Sequence, residues 1–448
     1  MKKILAKSVL ITLMMASAAM AQTLEESLAI AYENSNVLKS KREELKAVDE
    51  NIMIAFSGFL PTLQAGKSRQ EQTVSNFTNW GTRPPSNFSQ STITTSLQLK
   101  QNLFNSGGGL AGLKKAKRQI EAQRAALVQY EQQVLLNVVK VYLNVVKAQM
   151  QFEIYEKKVT TLKKYLEAEE ARYKAGEKTK TDVAQARSQF SNAVAYKIKS
   201  QGELAAARAD FVAVVTVEPQ NLTLPQANIV VPQNVDEAIE SALKKNPEFL
   251  ISERKYQAAD NNIDVQRASL LPSGDLAYAW QDNSQNPTID GTSSRVTTFS
   301  LTVPIFTSGS WSQLRNAKRV AQQYKYESLN SKQSVIDSAI VAWQDYETSK
   351  ASIHAQEDAV ESALIAYNGM KEEEKAGMRS TVDVIVAQNS YFDTDINLVT
   401  AKTNNIQTRY ALKSAVGELT AKDLGLDVTL YDPLKNYNKI RWELIGSF

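Results

Sequence analysis

The chain has 448 residues, no cysteine and a single histidine, His354, and its 52 basic and 48 acidic side chains leave a formal net charge of +4. The absence of cysteine excludes disulfides, thiolate metal sites, a catalytic thiol and a lipid-modified N-terminal cysteine. One histidine excludes a histidine-rich zinc site and disfavours a Ser-His-Asp centre, so we expect no enzyme and predict no catalytic residue, cofactor or metal site.

The first 21 residues have the features of a secretory signal peptide. Lys2, Lys3 and Lys7 precede a short apolar run, and Ala19-Met20-Ala21 is an A-x-A cleavage site. Cleavage there removes three lysines and no acid, which lowers the net charge from +4 to +1 and disfavours nucleic-acid binding. No other run of about 18 apolar residues occurs, so we predict an exported chain that could enter a membrane only through strands.

The rest of the chain contains one unit twice. Residues 24–61 align with residues 235–272 without a gap, and both stretches end in Leu-Pro. Further along, LKKAKR at 113–118 matches LRNAKR at 314–319. We therefore divide the chain into four parts: a signal peptide (1–21), a first repeat (22–230), a second repeat (231–420) and a C-terminal strap (421–448).

Each repeat opens with a helical stretch, at 24–59 and 235–270, and continues with two strands. The first strands, 63–77 and 276–282, alternate weakly, whereas 92–103 and 298–305 alternate cleanly between apolar and polar side chains. This pattern fits a barrel strand between lipid and water, although a half-exposed soluble sheet has the same alternation. Four strands are too few to close a barrel, so several chains would have to contribute to one.

After each Ser-Gly turn the sequence predicts a very long helix. In the first repeat, apolar side chains recur every seven residues from Leu113 to Leu162, which is typical of coiled-coil packing. At about 1.5 Å per residue, a helix over 109–175 would span roughly 100 Å. A glycine turn then leads into a returning helix. The second repeat has polar residues such as Ser349 at equivalent positions, so we expect its long helix to be more solvated.

The strings KAGEKTKTDVAQARSQF and KAGMRSTVDVIVAQNSY at these two turns, together with the duplication and the signal peptide, resemble the TolC family of outer-membrane channel proteins. The resemblance covers essentially the whole mature chain. It implies an α+β membrane protein whose long α-helical hairpins form a periplasmic tube. It also implies that each protomer gives four strands to a trimeric, twelve-stranded barrel in the outer membrane of a Gram-negative cell.

The function that the resemblance implies is that of an exit duct for efflux or type I secretion. Such proteins are homotrimers that dock, through a periplasmic adaptor (a membrane fusion protein), onto an inner-membrane ABC or RND transporter. Two alternatives stay open: a stand-alone outer-membrane porin, and a periplasmic coiled-coil structural protein or adhesin. A porin needs no gate, so a conductance that rises in Arg379→Ala and Asp182→Ala would distinguish a duct from a porin.

The resemblance also implies a gate, closed by links between neighbouring hairpin tips. Carried onto this sequence, the motif places the gate at Thr181, Asp182, Glu374, Arg379, Asp383 and Val386, and adaptor contacts at Gly176 and Gly377. Asp182 and Arg379 could form a charge-assisted pair. Glu374 stands where the family often has an aromatic residue and Val386 where it can have a second Asp, so either Asp383 or Val386 would form the narrowest ring. The alternative for both aspartates is an ordinary acid at a helix N-terminus.

Overall fold

The computed structural model of the protein describes residues 22–76, 86–226, 229–285, 291–441 and 443. The predicted signal peptide, 1–21, and the end of the predicted strap, 444–448, lie outside the described residues. Among the described residues, no helix is both long and apolar enough to cross a membrane.

The second half of the chain repeats the first half's order of opening helices, two strands and a long helical hairpin, with two opening helices instead of three. The first half contains α1 (Leu24–Asn34), α2 (Asn36–Asp49), α3 (Asn51–Ser57), β1 (Thr62–Asn76), β2 (Ser86–Phe104), α4 (Gly108–Lys174) and α5 (Lys180–Val215). The second contains α6 (Val235–Lys245), α7 (Pro247–Ala268), β3 (Ser273–Gln285), β4 (Thr292–Thr302), α8 (Ser308–Lys375), α9 (Thr381–Ala415) and the short α10 (Lys435–Ile440). Both predicted long helical hairpins are therefore present.

The helical stretch predicted at the start of each half is divided into separate helices. The break between α1 and α2 falls at Ser35, whose hydroxyl accepts a hydrogen bond from the Leu38 amide at 3.3 Å and so helps to start a new helix. The break between α6 and α7 falls at Asn246, because the ring of Pro247 disfavours a helical backbone in the residue before it. The Asn246 side chain then accepts from the Glu248 amide at 2.9 Å.

The four strands form one antiparallel sheet in the order β1-β2-β3-β4, so β1 and β4 are its edges. The register pairs Leu99 of β2 with Leu63 of β1 and with Tyr278 of β3. The strand predicted at 92–103 is confirmed, since β2 includes it. The strand predicted at 298–305 is confirmed only over 298–302, because β4 begins earlier, at Thr292, and ends at Thr302. Pro304 has no N–H with which to continue a ladder.

The chain forms two compact units, each of which takes segments from both halves of the sequence. One contains Ala125–Leu250 and Ser331–Asp432 with the chain up to Glu43; the other contains Glu44–Arg124, Ile251–Asn330 and the chain from Pro433. The core of the first unit surrounds Tyr142 of α4, which is fully buried against Phe211 of α5. The Tyr142 hydroxyl lies 3.0 Å from the Gln22 carbonyl and 2.9 Å from the Thr223 carbonyl, and so ties two irregular segments to the helix.

The hairpin of α8 and α9 has a polar cluster between its helices. Ser349 is one of the polar positions from which we expect a more solvated α8, yet it is itself only 3% exposed. Its hydroxyl lies 2.9 Å from the Thr408 hydroxyl and accepts a hydrogen bond from the Asn405 side chain at 2.9 Å. A serine on the long helix is thus satisfied by polar residues of the returning helix, which allows it to be buried.

Candidate functional site: the hairpin tips

Both hairpins turn through the same backbone geometry. Gly176 (φ +81°) follows α4 and Gly377 (φ +75°) follows α8, and each lies in the left-handed region that favours glycine. Three residues past the end of each helix, the Glu177 amide donates to the Arg172 carbonyl and the Met378 amide donates to the Glu373 carbonyl, both at 2.9 Å. These are the bonds of a glycine-dependent helix stop. The glycines therefore determine the shape of the tips.

The predicted gate acids Asp182 and Asp383 lie at the starts of the two returning helices. The Asp182 carboxylate accepts from the Thr179 amide at 2.9 Å, while the Asp182 amide donates to the Thr179 hydroxyl at 3.3 Å. Ser380 and Asp383 make the same reciprocal pair, at 3.0 and 3.2 Å. These are capping boxes. The hydrogen bonds from Thr179 and Ser380 lower the pKa of Asp182 and of Asp383 respectively.

The structure does not bring Asp182 and Arg379 together within one chain. Instead, Arg379 donates from Nε to the Glu373 carboxylate at 2.8 Å, and this pair is half-exposed on the turn of the second hairpin. The hydrogen bond to Glu373 raises the pKa of Arg379. Thr181, another predicted gate residue, is exposed beside Asp182.

Glu374, by contrast, links the two hairpins. Its side chain is only 7% exposed, and its Oε1 accepts a hydrogen bond from Nη1 of Arg172 on α4 at 2.7 Å. Lys178, in the turn before α5, brings its Nζ to 3.8 Å from the same oxygen. We call the contact of Glu374 with Arg172 and Lys178 the tip latch. It joins a carboxylate of the second hairpin to two cations of the first.

A buried acid lies beside the tip latch. Glu169 of α4 is 1% exposed, 3.6 Å from Arg172 and 3.9 Å from Lys178. Burial raises the pKa of Glu169, and the two cations partly offset this effect. Its Oε2 has no hydrogen-bond partner among the described residues. The two carboxylates and two cations therefore form one charge-balanced cluster.

Two further contacts close the same region. Lys178 Nζ donates to the hydroxyl of the buried Thr381 at 2.6 Å, so it holds the start of α9 as well as Glu374. The Tyr165 hydroxyl lies 3.5 Å from the Thr381 carbonyl, and burial raises the pKa of Tyr165 to about 12, which keeps it a neutral donor. One turn further along α9, Val384 is buried whereas Val386 is 62% exposed.

The sequence predicts Glu374 as a gate residue but does not indicate its partners in the tip latch. Arg172 and Glu169 are separated by one helical turn, and Lys178 stands just before a cap, so each resembles an ordinary surface charge. Only the packing of one hairpin against the other places them together. No local pattern indicates that contact.

Comparisons with known proteins agree with this architecture. The sequence profile of a family described as outer membrane efflux protein matches residues 28–215 and 238–418. The chain is 32% identical over 453 residues to the outer membrane efflux protein BepC of Brucella suis, and the alignment covers 99% of this chain and 96% of that protein. It is 26% identical over 427 residues to the outer membrane protein TolC of Vibrio cholerae, and this alignment covers 92% of this chain and 94% of that protein.

The fold is also similar to a solved structure. The outer membrane protein VceC of Vibrio cholerae superimposes with a TM-score of 0.75 at 18% identity, covering 88% of this chain and 96% of that one. Together these matches confirm the resemblance that the tip strings and the duplication indicated.

Proposed function

Since the chain belongs to the outer membrane efflux protein family, we propose that three copies of it form the exit duct of a tripartite efflux or type I secretion system. As a member of that family it resides in the outer membrane and reaches into the periplasm. A periplasmic adaptor connects the duct to an inner-membrane ABC or RND transporter, and cargo passes through without chemical change.

The sheet supports assembly from several chains. Its two edges, β1 and β4, present unpaired backbone groups along 15 and 11 residues. Such edges demand a partner strand, above all in lipid, where no water can satisfy them. Pairing β4 of one copy with β1 of the next satisfies both edges. Three copies then close a twelve-stranded barrel.

The tip latch is the observation that carries the gating part of the proposal. A charged carboxylate is held between two cations, and its side chain is nearly removed from water, where each hydrogen bond counts for more than on an open surface. The latch binds the second hairpin to the first within each copy. Opening requires the hairpins to separate, so the latch must break.

Contacts between copies complete the proposed gate. Arg379 and Thr181 are exposed at the tips and Asp182 is half-buried beside Thr181, so a neighbouring copy can contact all three. Either Asp383 or the exposed Val386 forms the narrowest ring. An adaptor then docks at the turns around Gly176 and Gly377, where Met378 is 71% exposed.

Site-specific crosslinking in cells tests the duct directly. A photo-crosslinking residue at Met378 should capture an adaptor, and purification of that product should bring down an inner-membrane transporter. Ile198, 64% exposed on α5, serves as a matched control position. A protein that migrates as a heat-sensitive trimer yet captures no periplasmic protein from either position would be a stand-alone porin, which contradicts the proposal.

A further inference from the structure

The register of the sheet sorts the strand side chains onto two faces. One face carries large apolar side chains, including Leu63, Leu97, Leu99, Tyr278 and Phe299, most of which are well exposed in the single chain. The other face carries the alternate residues, which are mainly serine, threonine, asparagine, glutamine, glycine and alanine. In a membrane barrel the first face meets lipid and the second lines the lumen.

The polar face is nearly free of charge. On this face, among strand residues whose side chains the structure describes, the ionisable groups are Lys100 of β2 and Asp275 of β3. The other ionisable strand residues, among them Lys67, Arg69 and Asp282, alternate onto the apolar face. Lys100 and Asp275 are therefore surrounded by small polar side chains, whereas the other charged strand residues stand among large apolar ones.

Lys100 and Asp275 balance each other. The Lys100 Nζ lies 3.9 Å from Oδ2 of Asp275, and the other carboxylate oxygen accepts a hydrogen bond from the Asn102 side chain at 3.1 Å. Asp275 is thus held by two neighbours on β2, with 26% of its side chain exposed, while the Lys100 side chain is 55% exposed. Both groups lie near the end of the sheet where β2 runs into α4.

We propose that the Lys100–Asp275 pairs of the three copies form a charge-neutral ring, so that the barrel lumen does not select cargo by the sign of its charge. The proposal rests on the trimeric barrel proposed above. Three copies bring three lysines and three aspartates to one level of the lumen, where the other strand side chains that the structure describes on this face are uncharged. Cargo of either charge meets no net field at this level, so the barrel accepts anionic and cationic substrates alike.

Neutralising either Lys100 or Asp275 should leave the charge of the other unbalanced in the lumen. Asp275→Asn preserves an acceptor for Asn102 but leaves three unbalanced lysines, which attract anions. Lys100→Gln leaves three unbalanced aspartates, which attract cations. Because the two substitutions differ in sign while each removes one charge per copy, each is the matched control of the other.

The absence of cysteine from the chain permits a local measurement of this field. Ala277 is the cross-strand partner of Lys100, so a cysteine there samples the potential beside the pair. Its rates of modification by an anionic sulfonate and a cationic ammonium methanethiosulfonate are compared in purified trimers in lipid vesicles. Thr297, on the apolar face opposite Tyr278, gives the control Thr297→Cys.

We expect Ala277→Cys alone to react with both reagents, with a rate ratio to be used as reference. Asp275→Asn should raise the anionic-to-cationic ratio at least about twofold and Lys100→Gln should lower it at least about twofold. Ratios that stay within error of the reference in both variants overturn the charge-neutral ring. A cysteine at 297 that reacts as fast as one at 277 instead overturns the orientation of the barrel, and with it the proposed duct.

Discussion

Replacement of Glu374 by glutamine should open the duct. The substitution preserves the shape of the side chain and one acceptor oxygen but removes the charge that Arg172 and Lys178 contact at 2.7 and 3.8 Å. A hydrogen bond to a charged group contributes about 1.5–3 kcal/mol. Since Arg172 is 39% exposed, solvent reduces the loss to about 1–2 kcal/mol per copy.

The effect multiplies when the copies open together. A change of about 1–2 kcal/mol shifts an equilibrium between two states by about 5- to 30-fold. Three copies that open in concert therefore raise the open population on the order of 100-fold or more, provided that the closed state dominates at first. Single trimers in planar bilayers at neutral pH report this change as open probability.

Two controls decide whether the tip latch is responsible. Glu373→Gln removes the neighbouring carboxylate, which pairs with Arg379 on the exposed turn, and should have a much smaller effect. Arg172→Met should open the duct alone but add little in the Glu374→Gln background, because the contact is already lost. Equal effects of Glu373→Gln and Glu374→Gln, or full additivity of the Arg172 and Glu374 variants, would refute the reasoning.

Three further predictions concern the gate and the fold. Arg379→Ala should raise open probability less than Glu374→Gln in the same bilayers; an equal or larger rise would transfer the main closing contact to Arg379. Gly417→Ala should lower the free energy of unfolding by about 2–4 kcal/mol, because its φ is +83° and a Cβ would lie 2.4 Å from the Lys245 backbone. Gly202→Ala, in an open part of α5, should not destabilise in the same urea titration, and equal losses would contradict the clash. Although burial alone would raise it, hydrogen bonds from Lys245, Lys413 and Ser241 lower the pKa of Glu418 to about 2, so wild type should lose stability relative to Glu418→Gln as the pH falls from 4.5 to about 2. If the difference in stability between wild type and Glu418→Gln does not change with pH, the Glu418 carboxylate does not stabilise the fold through these hydrogen bonds.

The elements with strong periodicity could be predicted from the sequence. The seven-residue spacing from Leu113 to Leu162 indicated α4, and the alternation around Leu97 and Leu99 indicated β2. The ends of these elements were harder to predict where a single residue determines where a helix or strand stops. Pro304 ended β4 early and Ser35 and Asn246 divided helices whose apolar pattern runs on.

The candidate site was predictable only in part, for a physical reason. Tip glycines and capping acids are local signals, which the sequence displays at fixed spacing. The tip latch depends on which face of one long helix meets another, and α4 and α8 carry charged residues on several faces near their ends. Ser349 illustrates the same limit, because its burial follows from Asn405 and Thr408, more than fifty residues away.

The capping boxes at the two tips have a consequence for genetic selection. A screen for cells with a leaky envelope should recover substitutions at Asp182 and Asp383, but for two different reasons. A leucine removes the negative charge and also frays the first turn of the returning helix, whereas an asparagine removes the charge and can still accept from Thr179 or Ser380. Comparison of the two alleles at one codon therefore separates permeability caused by lost charge from permeability caused by a loosened helix.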